Sequence, residues 1–191
     1  NRFEDRCGRC PALSSQRERD LSSWIWRRKQ RAWQDLDPTI VGISRWVAES
    51  ARRSSLFRDH RIEVIHNALD ETVFKPAPKA LARRVLNLPP GSTLIAFGAI
   101  NALSDPIKGF AQLQESLRTL SASAFDPDAH VIIFGAEAPA ARPSLGFPAT
   151  YLGTLHDPAS LVLAYSAADV TVVPSLQEAF GKTALESLAC G

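Results

Sequence analysis

Two glutamates, Glu178 and Glu186, stand eight positions apart in the run Pro174-Ser175-Leu176-Gln177-Glu178-Ala179-Phe180-Gly181-Lys182-Thr183-Ala184-Leu185-Glu186. Before them, residues 170–173 form a β-branched apolar run that Pro174-Ser175 stops. After the Gly181 turn, residues 182–190 predict a helix with Ala184, Leu185, Leu188 and Ala189 on its apolar side. This pattern is a strand, a loop with one carboxylate, a glycine turn and a helix with a second carboxylate. In a parallel α/β sheet such a junction lies at the carboxyl ends of the strands, where ligands bind. The unpaired N–H groups of the helix's first turn carry partial positive charge and suit a phosphate. Gly181, Lys182 and Thr183 supply those donors. Glu186 reaches a neutral hydroxylated group beside the phosphate, and Glu178 faces the ligand's other side. The set suits a nucleotide diphosphate sugar.

Other residues add to this site or stand apart from it. Lys108 opens a helix expected over residues 108–121. A lysine there opposes the helix dipole, so either an anion lies nearby or the side chain is simply solvated. Glu186 likewise is either a ligand contact or an ordinary exposed helix carboxylate. His156 follows Gly153 at a strand's carboxyl end, near a nucleobase, while Asp157-Pro158 equally reads as a helix cap. His130 reads as a strand-edge histidine without a chemical role. Cys7 and Cys10 form a C-x-x-C pair with no second pair nearby, whereas a zinc knuckle needs about four ligands. They read as free thiols, or as half of a site completed elsewhere.

The elements that position these groups alternate. Residues 21–35 predict a helix in which Trp24, Trp26 and Trp33 interleave with Arg27, Arg28, Lys29 and Arg31. Either it packs its tryptophans on its own domain, or it touches a membrane surface. Strands are expected at 39–43 and 62–65, with Ser44 capping a helix to about residue 55. A linker covers 66–78, and a short helix 81–86. Strands at 93–97, 130–134, 150–152 and 170–173 then alternate with helices at 108–121, 159–166 and 182–190. This is the pattern of a doubly wound parallel sheet. Residues 139–148 form a Pro- and Ala-rich loop expected to be mobile.

Composition is that of an ordinary globular protein, with 45% hydrophobic and 22% charged residues. A net charge of +2 leaves no nucleic-acid footprint. No apolar run reaches transmembrane length. Three cysteines make no even disulfide framework and point to a reducing compartment. The 191 residues contain no Met, and the chain reads as an internal segment of a longer enzyme.

The spacing of Glu178 and Glu186 resembles the Glu-x7-Glu motif of glycosyltransferase family 4, retaining enzymes of the GT-B fold with two facing Rossmann-like domains. Four further segments agree in order. Val64-Ile65-His66-Asn67-Ala68-Leu69-Asp70 with Phe74-Lys75-Pro76 is similar to the interdomain linker. Phe97-Gly98-Ala99 with Lys108-Gly109 is similar to the phosphate-binding loop. Tyr151-Leu152-Gly153 and Tyr165-Ser166-Ala167-Ala168-Asp169-Val170 match the strand ends around the donor site. Cys7-Gly8-Arg9-Cys10-Pro11 and Asp20-Leu21-Ser22 resemble a bacterial exopolysaccharide branch of the colanic-acid type.

The resemblance implies that residues 1–74 close the acceptor-side domain and carry the linker. Residues 75–191 would hold most of the nucleotide-sugar domain, in strand order 3-2-1-4, with residues 170–173 left as an exposed edge. It implies sugar transfer with retention from a nucleotide diphosphate sugar to a saccharide or lipid-linked hydroxyl. The resemblance also implies a site in the cytoplasm or at the inner membrane face, with no metal and no other cofactor. Glu178 is the catalytic carboxylate beside the sugar. Glu186 binds ribose, and Gly98, Lys108, Phe180, Gly181, Lys182, Thr183 and His156 line the nucleotide. Two other readings stay open: a nucleotide-sugar epimerase on the same scaffold, and a non-catalytic nucleotide-sugar-binding module. The sequence departs from the family's pattern at Ala99, where Arg is usual, at Ile107 in place of Arg before Lys-Gly, and at Ala68 in place of the linker glycine.

Overall fold

The structure is a computed structural model that describes residues 2–123 and 126–191. By its internal contacts the chain divides into two compact units, Asn1–Asn67 and Ala68–Gly191.

In the first unit, Asp20 caps α1 (Leu21–Trp33) by accepting the Ser23 N–H. Its carboxylate also accepts from Ser22 Oγ and the Cys10 N–H, and these bonds hold its pKa far below the usual range. Then follow β1 (Ile40–Gly42), α2 (Arg45–Arg53) and β2 (Ile62–Val64). Ser44 caps α2 by accepting from the Val47 N–H. β1 and β2 pair in parallel, Val41 opposite Glu63. Two of the tryptophans of α1 pack on their own unit. Trp26 Nε1 donates to Ser55 Oγ at 3.0 Å and Trp33 stacks on Phe57, while Trp24 stays 54% exposed beneath the Arg28 guanidinium.

The second unit contains α3 (Lys79–Val85), β3 (Leu94–Gly98), α4 (Phe110–Ala122), β4 (His130–Phe134), β5 (Ala149–Tyr151), α5 (Pro158–Ala167), β6 (Val170–Thr171) and α6 (Lys182–Ala189). Its strands are all parallel in the order β5-β4-β3-β6, the 3-2-1-4 order expected. The two-residue period of the strands sorts side chains onto two faces. Leu94, Ala96, Ile132 and Phe134 pack with Ala82 of α3 and Ala164 and Tyr165 of α5. Ile95, Phe97, Val131 and Ile133 pack with Leu113 and Leu117 of α4 on the other face. Both faces are covered, which is why β3 and β4 read as continuous apolar runs.

Several details depart from the sequence reading. β6 spans two residues, although the Val172 N–H still donates to Ala96 O before Pro174 ends the pairing. Leu188 is 80% exposed, and Glu186 is buried in its stead at 7%. His130 begins an inner strand and shares a 2.8 Å hydrogen bond with Thr150 Oγ1, and burial lowers its pKa. The loop around residue 145 is anchored: Leu145 is 2% exposed in the α4-side core, and Gln114 Nε2 donates to Ser144 O. Ala68 keeps a negative φ, so its missing glycine demands no left-handed backbone.

A buried arginine ties the amino ends of β3 and β6 to α3. Arg83, 6% exposed, donates to the carbonyls of Ala167, Pro90 and Ser92 and to Asp169 Oδ2 at 2.6 Å. Asp169 also accepts from the Leu94 N–H and Lys79 Nζ. Burial of Asp169 raises its pKa, but these bonds and the two cations outweigh that and leave it lowered.

Candidate functional site

Lys108 is not in the first turn of α4. It ends a 3-10 turn, Pro106–Lys108, whose start Asp105 caps by accepting from the Ile107 N–H. Gly109 then turns left-handed, φ 74°, and becomes the N-cap of α4. This break frees Lys108 from the helix axis. Its side chain crosses to the loop after β6, where Nζ lies 2.8 Å from Glu178 Oε1.

Gly109 lets the two loops meet. A Cβ there would lie 2.1 Å from Pro174 O. Alongside, the Leu176 N–H donates to Ile107 O at 2.9 Å, a backbone clasp between the loops. Ser175 Oγ donates to the same Glu178 oxygen as Lys108, also at 2.8 Å. Partial burial raises the Glu178 pKa, but the bonds from Lys108 and Ser175 and the lysine's charge prevail and lower it. Glu178 is therefore an ionised carboxylate at neutral pH.

Three residues beyond Glu178, Gly181 takes φ 82° and caps α6 with no side-chain hydrogen bond. A Cβ built on Gly181 meets nothing within 4 Å, so the space before the helix is open. An open N-terminus of this kind, with its N–H groups unclaimed by a side chain, attracts an anion.

Glu186, one turn into α6, points inward. Its Oε2 accepts from Tyr165 OH at 2.9 Å, and its Oε1 lies 3.5 Å from Lys182 Nζ. Burial, then the Glu186 charge, push the Tyr165 pKa far up, so Tyr165 stays a donor.

The remaining candidates are Gly98, Phe180 and His156. Gly98 ends β3, and a Cβ there would overlap the Phe134 ring at 2.0 Å, so close strand packing alone requires glycine. Phe180 is partly buried before Gly181. His156 is exposed, and Asp157 beside it caps α5 by accepting from the Ser160 N–H and Oγ. Among the described residues no group of three or more His, Cys, Asp or Glu could hold a metal ion. Cys7, Cys10 and Cys190 are free thiols.

The sequence reading missed Ser175, Tyr165 and Asp105. Ser175 had a signal: Ser-x-x-Glu, spanning Ser175 to Glu178, is the spacing at which a serine and a glutamate meet in a capping box. Tyr165 had none, since its pairing with Glu186 joins two helices 21 residues apart.

Residues 91–191 match the family model of the glycosyl transferases group 1, and the chain belongs to that family. It is 37% identical over 143 residues to a D-inositol 3-phosphate glycosyltransferase of Mycolicibacterium gilvum, covering 69% of this chain and 30% of that protein. A protein of the same name from Thermobispora bispora is 37% identical over 145 residues, covering 69% of this chain and 33% of that one. The chain thus spans about a third of the length of these relatives. Among solved structures, sucrose-phosphate synthase of Thermosynechococcus elongatus superposes with a TM-score of 0.65 at 25% identity, over 86% of this chain and 42% of that one. Anabaena HepE, solved with UDP and glucose, superposes at 0.61 and 18% identity, over 86% and 45%. The parallel sheets are those of the GT-B glycosyltransferases. The colanic-acid branch finds no support in these matches. Among the described residues, no helix is long and apolar enough to cross a membrane.

Proposed function

We propose that the Ala68–Gly191 unit binds the donor of a glycosyltransferase, a nucleotide diphosphate sugar, and that the whole protein transfers its sugar to an acceptor hydroxyl. The observation that carries this reading is the meeting of Lys108 and Glu178 beside the open start of α6. One cation and a helix N-terminus suit a diphosphate, and an ionised carboxylate suits sugar hydroxyls.

In this reading Lys108 and the first-turn N–H groups of α6 hold the diphosphate. They stabilise the charge that builds on the leaving phosphate, a role a metal plays elsewhere, so transfer needs no divalent ion. Glu178 orients the sugar and stabilises positive charge developing at the anomeric carbon. Glu186 holds ribose hydroxyls, exchanging part of its bonding with Tyr165 and Lys182 for them. Gly98, Phe180 and His156 border the nucleotide. Retention follows from attack on the face from which the phosphate leaves.

The acceptor is a saccharide or lipid-linked hydroxyl in polysaccharide assembly, and the relatives' names add a phosphorylated polyol to the candidates. The free thiols and a nucleotide-sugar donor favour a cytoplasmic site. The exposed Trp24 and the basic run of α1 favour peripheral contact with the membrane's inner face.

The test is incubation with UDP-, GDP- and ADP-sugars, with and without saccharide or inositol-phosphate acceptors, read by mass spectrometry. Glycosylated acceptor of retained configuration is the expected product. Donor conversion without acceptor would replace transfer by epimerisation, and binding without turnover would reduce the unit to a binding module.

A further inference from the structure

The ion pair at the site has a consequence beyond holding a donor. Lys108 is the cation assigned to the diphosphate, yet its Nζ is already engaged by Glu178 Oε1 at 2.8 Å. The pair is partly sheltered, with side-chain exposures of 24% and 32%. An incoming phosphate must therefore compete with a carboxylate built into the site. The carboxylate is not held by Lys108 alone, because Ser175 Oγ donates to the same oxygen. Glu178 thus keeps a local partner if it releases the lysine.

We propose that Glu178 is a selectivity switch that exchanges Lys108 for the donor sugar, so that the site favours a sugar-bearing diphosphate over a bare one. The inference rests on the donor-site reading above. When the sugar is present, its hydroxyls take over the Glu178 carboxylate as hydrogen-bond donors. Lys108 is then freed for the diphosphate. When the sugar is absent, Glu178 is left with Ser175 Oγ alone and no new donor replaces Lys108, so the bare diphosphate meets a lysine already neutralised. After transfer the same contact re-forms and helps to expel the nucleoside diphosphate. The backbone clasp Leu176 N–H to Ile107 O and the close approach at Gly109 keep both loops in place during the exchange, so only side chains need to move.

The choice of probe separates this switch from the donor-site reading. Inorganic pyrophosphate reports the anion site without base, ribose or sugar. Its affinity is measured by calorimetry for the intact chain and for Glu178→Gln, Lys108→Ala and the Glu178→Gln/Lys108→Ala double variant. Glutamine keeps the shape and the bond from Ser175 but not the charge. The switch requires Glu178→Gln to bind pyrophosphate about two- to fivefold more tightly than the intact chain, the range expected for releasing a partly sheltered ion pair. It also requires that gain to vanish in the double variant.

Equal pyrophosphate affinity in the intact chain and Glu178→Gln, with weaker binding in Lys108→Ala, would keep the anion site and overturn the switch. No pyrophosphate binding by any of the four proteins would overturn both. A gain that survives in the double variant would also overturn the switch, since it would come from general electrostatics and not from Lys108. Circular dichroism of each variant verifies that the comparison is between folded proteins.

Discussion

Lys108 and Glu178 are 70 residues apart in sequence and 2.8 Å apart in space. Two loops at the carboxyl ends of neighbouring strands, β3 and β6, bring them together. The contact depends less on the two side chains than on the backbone beneath them, where Gly109 lies flat against Pro174 O.

Gly109→Ala is therefore expected to damage both stability and site. It puts a Cβ 2.1 Å from a carbonyl oxygen at a φ of 74°. The left-handed backbone alone costs about 1–3 kcal/mol for a non-glycine residue. The clash adds to this, because a backbone oxygen cannot swing aside. Urea denaturation should show a lower midpoint, and the Lys108 amine should lose its Glu178-dependent NMR shift. An unchanged midpoint would mean that the loops separate at no cost.

Glu186 and Glu178 should fail differently. Glu186→Ala leaves the buried Tyr165 hydroxyl without its acceptor, at a cost of about 1–3 kcal/mol. It should lower stability and weaken nucleotide binding, with or without a sugar attached. Glu178→Ala touches no buried group and should leave stability near that of the intact chain while turnover with a nucleotide sugar falls. Chemical denaturation and nucleotide titration of both variants separate these outcomes. Equal nucleotide affinity in Glu186→Ala and the intact protein would remove its assigned role.

The amino ends of β3 and β6 should be acid-sensitive through Asp169. Its folded pKa lies below the ordinary value of 3.8. A lowered carboxylate pKa contributes stability that is present above the unfolded value and lost as pH falls through the folded one. Below 3.8 the unfolded chain binds the proton more readily, so stability falls with pH. Asp169→Asn should cost about 1–3 kcal/mol near neutral pH, through weakened bonds to Arg83 and Leu94. It should also flatten the decline of stability under acid. Parallel acid dependence in the two proteins would mean that other carboxylates carry it.

These residues mark where sequence reading succeeds and where it stops. The strands and the apolar face of α4 were legible, because apolar runs and the spacing of Phe110, Leu113, Leu117 and Leu120 report burial directly, whereas the strand order came from the family resemblance. The position of Lys108 was not, because Asp105-Pro106 starts a separate 3-10 turn and Gly109 restarts the helix, a break that periodicity smooths over. The burial of Glu186 was missed for a similar reason. Hydropathy assigns Leu188 to the core and Glu186 to solvent, whereas Glu186 is buried on the Tyr165 hydroxyl and Leu188 is exposed. Pairings such as Lys108–Glu178 and Arg83–Asp169 join distant segments, and no local pattern encodes them.

Lys108→Ala should weaken binding of a nucleoside diphosphate sugar more than that of the monophosphate, because the lysine, released by Glu178 when the sugar is present, is assigned to the second phosphate as well as the first. The loss should be about ten- to a hundredfold, the worth of one hydrogen bond to a charged group. Ala99 follows β3 at the position where the family resemblance leads one to expect Arg. Ala99→Arg should therefore restore part of the affinity lost in Lys108→Ala. It should do so without Mg²⁺, since cation and helix N-terminus meet the charge directly. The measurement is titration of uridine, guanosine and adenosine monophosphates and diphosphate sugars against the intact chain, Lys108→Ala and the Lys108→Ala/Ala99→Arg pair, each with and without a chelator. Equal losses for monophosphate and diphosphate sugar would move Lys108 off the second phosphate. Binding that disappears with chelator and returns with Mg²⁺ would show that a metal supplies the charge assigned here to Lys108 and α6.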